Sequence, residues 1–182
     1  GNSAKLLARD DMNPDERRGF FQTIDRELST IKRFLDDLRN VAKPRPIERF
    51  ALDVNGSLGE IVESMRAEAE RHGVQIAAHY AGAPLVIEGD RFALGRVYRN
   101  LITNAVQATG SGGRITITTG RADDRVSISV ADTGSGIAPD RLAAIFDDFV
   151  TTKKNGLGLG LAVSKRIVEQ LNGTIEVASE LG

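Results

Sequence analysis

Asn100 and Asn104 stand four residues apart in the stretch NLITNAVQAT. On a helix that spacing puts both side chains on one face. Asparagine is a middling helix former and a poor neighbour for an apolar core, so two amides one turn apart need a reason. An amide oxygen is a hard, neutral ligand. Mg²⁺ takes oxygen ligands in an octahedron and fills its other positions with water and substrate phosphates. Two amides beside a phosphate site would hold such an ion without adding charge. Taken singly, either residue also fits a purely structural role.

Three further stretches carry chemistry of their own. In RVSISVAD, Val126, Ile128 and Val130 alternate along a strand, and Asp132 continues on the same face. A carboxylate there needs a strong donor: either the backbone of the following turn or a ligand group such as an exocyclic amine. TGSGI follows, with Gly134 and Gly136 free to take positive φ and to admit a ligand close to the backbone. The run GLGLGLAV alternates Gly156, Gly158 and Gly160 with leucines at the mouth of a helix. The leucines can anchor inward while the glycine amides and the positive helix end form an anion site suited to phosphate. Just before it, Thr151, Thr152, Lys153 and Lys154 offer hydroxyls and ammonium groups to phosphate oxygens. Neither the G-x-G-x-x-G of dinucleotide folds nor the phosphate-loop G-x-x-x-x-G-K is present.

Composition narrows the classes. The 182 residues carry a formal net charge of −1, so no strong field draws the chain to nucleic acid or anionic lipid. With no cysteine and two histidines, disulfides, thiolate metal sites and an all-protein zinc site drop out. No apolar run is long enough to span a bilayer and no signal peptide opens the sequence, so a reducing, cytoplasmic setting is expected.

These residues need elements to position them. SAKLLARD reads as the tail of a helix. Asn13, Pro14 and Glu16 then form a capping-box start for a long helix. Its apolar positions, Phe21, Ile24, Leu28, Ile31, Leu35, Leu38 and Ala42, follow an a/d seam that asks for partner helices. KPRP at 43–46 breaks it and marks a domain boundary. Beyond the boundary the chain reads as strand RFALDV, a helix over SLGEIVESMRAEAERHG ending at Gly73, and strands VQIAAHY and LVIEG. The long helix DRFALGRVYRNLITNAVQAT comes next, then the hairpin strands RITITT and RVSISVAD and a short helix APDRLAAIF. The last elements are a loop, a helix LGLAVSKRIVEQLNG capped by Gly173, and a final strand TIEVAS. Helices and strands do not alternate one for one, so the expected class is α+β, an α/β sandwich of one mixed sheet with helices on one face.

The order of NLITNAVQA, DTGSGI, IFDDFVTTK and GLGLGLAV resembles the ATP-binding domain of sensor histidine kinases, in the GHKL superfamily of Bergerat-fold ATPases. The F-x-x-F-x-T-T-K wording resembles the nitrogen-regulation type. The resemblance implies residues 1–43 as a remnant of a dimerisation and phosphoacceptor hairpin, mostly its second helix, and 44–182 as the catalytic domain. It implies ATP and Mg²⁺ as cofactors. Asn104 would ligate Mg²⁺ with Asn100 beside it, and Asp132 would accept from the adenine amino group. Gly134, Gly136 and Ile137 would shape the base pocket, and Phe146 and Phe149 would pack the lid. Thr152 and Lys153 would face the terminal phosphate, and Gly156, Leu157, Gly158, Leu159 and Gly160 would wrap the phosphates. Asn100, Asn104 and Lys153 form the implied catalytic set.

The implied partners are a second copy, through a four-helix bundle, and a response-regulator receiver domain, with no nucleic acid and no membrane contact from these residues. Hydrolases of the superfamily carry glutamate where Asn100 stands, and an amide cannot serve as a general base. The expected activity is therefore ATP-dependent transfer to a protein histidine. The alternatives are a nucleotide-sensing dimerisation module without kinase activity and a GHKL ATPase. The family's H-E-x-x-N/T-P acceptor motif is absent from this sequence, and His72 and His79 read as ordinary residues. The family's G-x-G-T-x-F strand is also absent after GTIEVASELG, which would leave a sheet edge unpaired. Gln107 stands where many relatives have a basic residue.

Overall fold

The computed structural model describes residues 13–42, 46–151 and 157–181. The stretch SAKLLARD, part of the KPRP break, and Thr152, Lys153, Lys154 and Gly156 lie outside the described residues. The chain divides into two units, Gly1–Pro44 and Arg45–Gly182.

In the first unit, helix α1 runs Pro14–Ala42. Asn13 Oδ1 accepts from the amides of Asp15 (3.0 Å) and Glu16 (2.9 Å), and Glu16 Oε2 accepts from the Asn13 amide (3.1 Å), which closes the capping box. Phe21, Leu28, Ile31 and Leu35 are each more than half exposed, so these positions of the seam lie open among the described residues.

The second unit runs β1 (Phe50–Asp53), α2 (Val54–Arg71), β2 (Gln75–His79), β3 (Val86–Gly89), α3 (Arg91–Ala108), β4 (Arg114–Ala122), β5 (Arg125–Asp132), α4 (Pro139–Leu142) and α5 (Gly160–Gln170). The strands form two sheets where one was expected. β1 pairs antiparallel with β3, while β2, β4 and β5 form a mixed sheet, parallel between β2 and β4 and antiparallel between β4 and β5. Alternation in single strands cannot reveal this split, because partner choice is made between distant segments.

TIEVAS, expected as a final strand, joins no ladder among the described residues, and Val177 is exposed. Within APDRLAAIF only one helical turn, α4, forms. At the end of α5 the left-handed residue is Asn172 (φ 60°), with Gly173 N donating to Val168 O at 2.9 Å.

The helices α2 and α3 cover the face of β4 that carries Ile115 and Ile117. Leu58, Val62, Met65 and Ala69 of α2 meet Leu94, Tyr98, Ile102, Ala105 and Val106 of α3 in one buried cluster. Among the described residues the buried Tyr98 hydroxyl makes no hydrogen bond of full geometry. Burial pushes it up to about 12, with the nearby Ser57 hydroxyl opposing the rise, so the phenol stays neutral.

Asp53 begins α2 and ties it to the β3 side. Its Oδ1 accepts from Asn55 N (3.3 Å) and Leu85 N (3.2 Å), and Oδ2 accepts from Gly56 N (3.1 Å). Asp53→Ala is expected to cost about 1–2 kcal/mol by leaving these donors unmet, read as a lowered urea midpoint.

Candidate functional site

Helix α3 is the rail of the site. Its buried positions face the sheet, and Asn100 and Asn104 are half-buried on the helix beyond that core. Asn100 meets the first turn of α5. Its Nδ2 donates to Ser164 Oγ at 3.0 Å, and Ser164 Oγ donates to Gly160 O at 2.9 Å. A Cβ on Gly160 would collide with Asn100 Oδ1, so glycine at this point leaves the Asn100 amide its place against α5. Leu159, at the N-cap position of α5, is buried and supplies no side-chain cap. Among the described residues no side chain at the N-cap position covers the positive end of α5.

At the C-terminal end of α3 lies the turn after β5. Asp132 is exposed, and its Oδ1 accepts from Gly134 N at 2.9 Å. A Cβ on Gly134 would sit 2.6 Å from Ala108 O, and Ser135 N donates to that same carbonyl at 3.3 Å. The aspartate turn is therefore laid directly on the C-terminal end of the asparagine helix. Gly136 takes φ 71°, and its Cβ position is filled by Glu180 O. Ile137 N donates to Ser179 Oγ at 2.8 Å, so residues 179–180 close over this turn.

The phenylalanine segment is held to α5. Lys165 Nζ lies 5.8 Å from the Phe146 ring centroid, and Arg166 pairs with Asp148. Phe146 is half-buried, as a packing role requires, but Phe149 is 64% exposed. The Phe149 backbone holds the segment instead: φ is 68°, and its amide donates to Gly158 O at 3.1 Å. Gly158 is also left-handed (φ 68°), and a Cβ there would lie 2.5 Å from Val150 O. Leu159 is fully buried and Leu157 half-buried, so the glycine run is anchored by its leucines. Among the described residues no three histidine, cysteine or carboxylate side chains cluster to hold a metal.

The structure thus brings Asn100, Gly158, Leu159 and Gly160 together beside the middle of α3, and Asp132, Gly134, Gly136 and Ile137 at its C-terminal end. Ser164, Lys165 and Arg166 escaped the sequence reading. Only Ser164 had a usable signal, its place four residues after Gly160 on the inward face of α5.

A profile of the family described as histidine kinase-, DNA gyrase B- and HSP90-like ATPase matches residues 89–182. The chain belongs to this family. The sensor histidine kinase ZraS of Escherichia coli (strain K12) is 36% identical over 179 residues, covering 98% of this chain and 38% of ZraS. Full-length ShkA, solved in complex with AMPPNP, is 33% identical with a TM-score of 0.78, over 98% of this chain and 39% of that one. ThkA in complex with the response regulator protein TrrA is 25% identical with a TM-score of 0.75, over 95% of this chain and 50% of that one. The chain therefore spans under two fifths of the ZraS length. The α+β fold and the ATPase family expected from the motifs both hold. Among the described residues no helix is long and apolar enough to cross a membrane.

Proposed function

We propose that this chain is the ATP-binding core of a sensor histidine kinase, holding Mg-ATP along α3 and passing its γ-phosphoryl group to a protein histidine. One observation carries the reading: a single helix contacts the glycine-rich mouth of α5 at Asn100 and the Asp132 turn at Ala108. A ligand with an amine-bearing base at one end and phosphates at the other fits that arrangement. Asp132 takes the adenine amino group, with Gly134, Gly136 and Ile137 around the base. The amides from Leu157 to Gly160 face the phosphates, and the resemblance adds Thr152, Lys153 and Gly156, outside the described residues, as phosphate ligands.

The donor set fits Mg²⁺ rather than a softer ion. It consists of neutral amide oxygens, with no carboxylate or imidazole cluster among the described residues. Asn104 and Asn100 would hold the ion, whose bound charge offsets that of the phosphates. Asn100 also keeps water idle, because its amide has no basic lone pair to take a proton. The γ-phosphoryl group therefore waits for the nucleophile. The bond from phosphorus to the β,γ-bridging oxygen breaks, a phosphorus–nitrogen bond forms on the imidazole, and ADP leaves. The acceptor histidine is supplied by another segment, since neither His72 nor His79 lies in an acceptor motif.

The exposed seam of α1 supports a homodimer through paired hairpins, and the ThkA–TrrA complex supports a response regulator as the next recipient. Such a core works on the cytoplasmic side.

Titration calorimetry with ATP, in Mg²⁺ and in EDTA, tests the site. In Asn104→Ala the affinity in Mg²⁺ is expected to fall to the level seen in EDTA. Mixing the chain with Mg-ATP and an acceptor-helix domain should label the acceptor histidine. Binding without transfer leaves a nucleotide-sensing module, and steady phosphate release with no acceptor present leaves an ATPase.

A further inference from the structure

We infer that Ser164 is the positioning residue of the site, fixing Asn100 so that its carbonyl, not its NH₂, faces the glycine mouth of α5. The inference deepens the Mg-ATP reading and rests on it.

The argument is a count of protons. A serine hydroxyl has one hydrogen and two lone pairs. Ser164, 2% exposed, spends its hydrogen on Gly160 O at 2.9 Å, one turn back along α5. Its 3.0 Å contact with Asn100 must then be one in which the serine oxygen accepts. Only Nδ2 of the amide can donate, so Oδ1 lies on the opposite branch of the side chain. Oδ1 is the amide atom nearest Gly160: an added Cβ there would strike it, while Nδ2 lies 3.1 Å from the same position. Without the serine, the amide could turn over and present two N–H donors where a metal–phosphate complex needs an oxygen ligand. Partners one shell away from a metal ligand commonly set its orientation in this way.

The relay also bears on residue 100 itself. A carboxylate there could not donate to Ser164. The serine hydrogen would be drawn from Gly160 O to the carboxylate, and the α5 contact would be rebuilt. The donor–acceptor match between Ser164 and an amide thus favours the non-hydrolytic side chain.

Two measurements separate this claim from the reading it rests on. The first uses the nucleotide-free chain: the Asn100 side-chain NH₂ signals, identified by their disappearance in Asn100→Asp, should exchange slowly with water. In Ser164→Ala they should exchange at least about tenfold faster, because their acceptor is gone. The second is ATP affinity in Mg²⁺ divided by that in EDTA. This ratio should fall about tenfold or more in Ser164→Ala, with the EDTA value unchanged. Adding Ser164→Ala to Asn100→Ala should change nothing further. Ser164→Cys, nearly equal in size and a weak acceptor, takes both measurements if Ser164→Ala fails to fold, with the same expectation. An unchanged ratio, an equal loss with and without metal, or an unaltered amide signal overturns the inference. A wild-type chain that binds no ATP overturns the nucleotide reading instead, and the amide exchange still decides the orientation.

Discussion

Asp132→Asn lowers ATP affinity by about 100-fold and leaves the melting temperature of the chain in place. Both halves of this expected result follow from one geometry. Asp132 Oδ1 caps its own turn by accepting from Gly134 N at 2.9 Å. An asparagine keeps that oxygen, so the turn, its seat on Ala108 and the packing beneath it all survive. The change falls on the other branch of the carboxylate, where an acceptor becomes a donor. An adenine amino group then meets N–H groups instead of an anionic oxygen. Loss of a hydrogen bond to a charged group is worth about 1.5–3 kcal/mol, and the opposed donors place the effect at the upper end of that range. Calorimetry in EDTA isolates the base from the metal. Wild-type affinity in the variant would remove Asp132 from base recognition and with it the orientation proposed for the nucleotide.

Ile102→Ala is the largest expected loss of stability, about 2–5 kcal/mol. Ile102 is fully buried on α3, in the cluster that joins α2 to Ile115 and Ile117 of β4. Neither helix can relax into the space left by the missing carbons without breaking its contact with the sheet. The urea midpoint should fall with the slope unchanged, since the surface exposed on unfolding is the same. Val86→Ala serves as the control. That residue is 50% exposed, and its loss should stay within about 0.5 kcal/mol. A small effect at Ile102 would mean that the core is looser than its burial indicates.

The long helices were legible in the sequence because their information is local. The spacing of apolar residues marks α2 and α3 to within a few positions, and the Asn13 capping box marks the start of α1. The start of α5 behind the glycine run was legible for the same reason, with Leu157 and Leu159 turned inward as its alternation suggests. What depends on distant partners was hidden. TIEVAS alternates like a strand, yet a strand exists only where a neighbour supplies a ladder. The division of five strands into two sheets is likewise a choice among partners. Phe149, which the resemblance assigns to lid packing, is 64% exposed on a left-handed backbone that its residue type does not announce. Ser164 carries one local sign, its place four residues after Gly160, but its meaning is a hydrogen bond across 64 residues of sequence.

The register of the mixed sheet fixes an order of events during folding. β4 and β5 are joined by Asp123 and Asp124 alone, with Asp123 at φ 54°, so their hairpin closes over the shortest possible loop. Gln75 of β2 pairs instead with Arg114, and β3 and the whole of α3 are strung between them. Closing that long excursion sacrifices far more chain freedom than closing the hairpin. The hairpin can thus zip within microseconds, while β2 must wait for the α3 segment to collapse onto it. The helix that links the two ends of the site is also the bottleneck through which the nascent chain passes to reach its native topology.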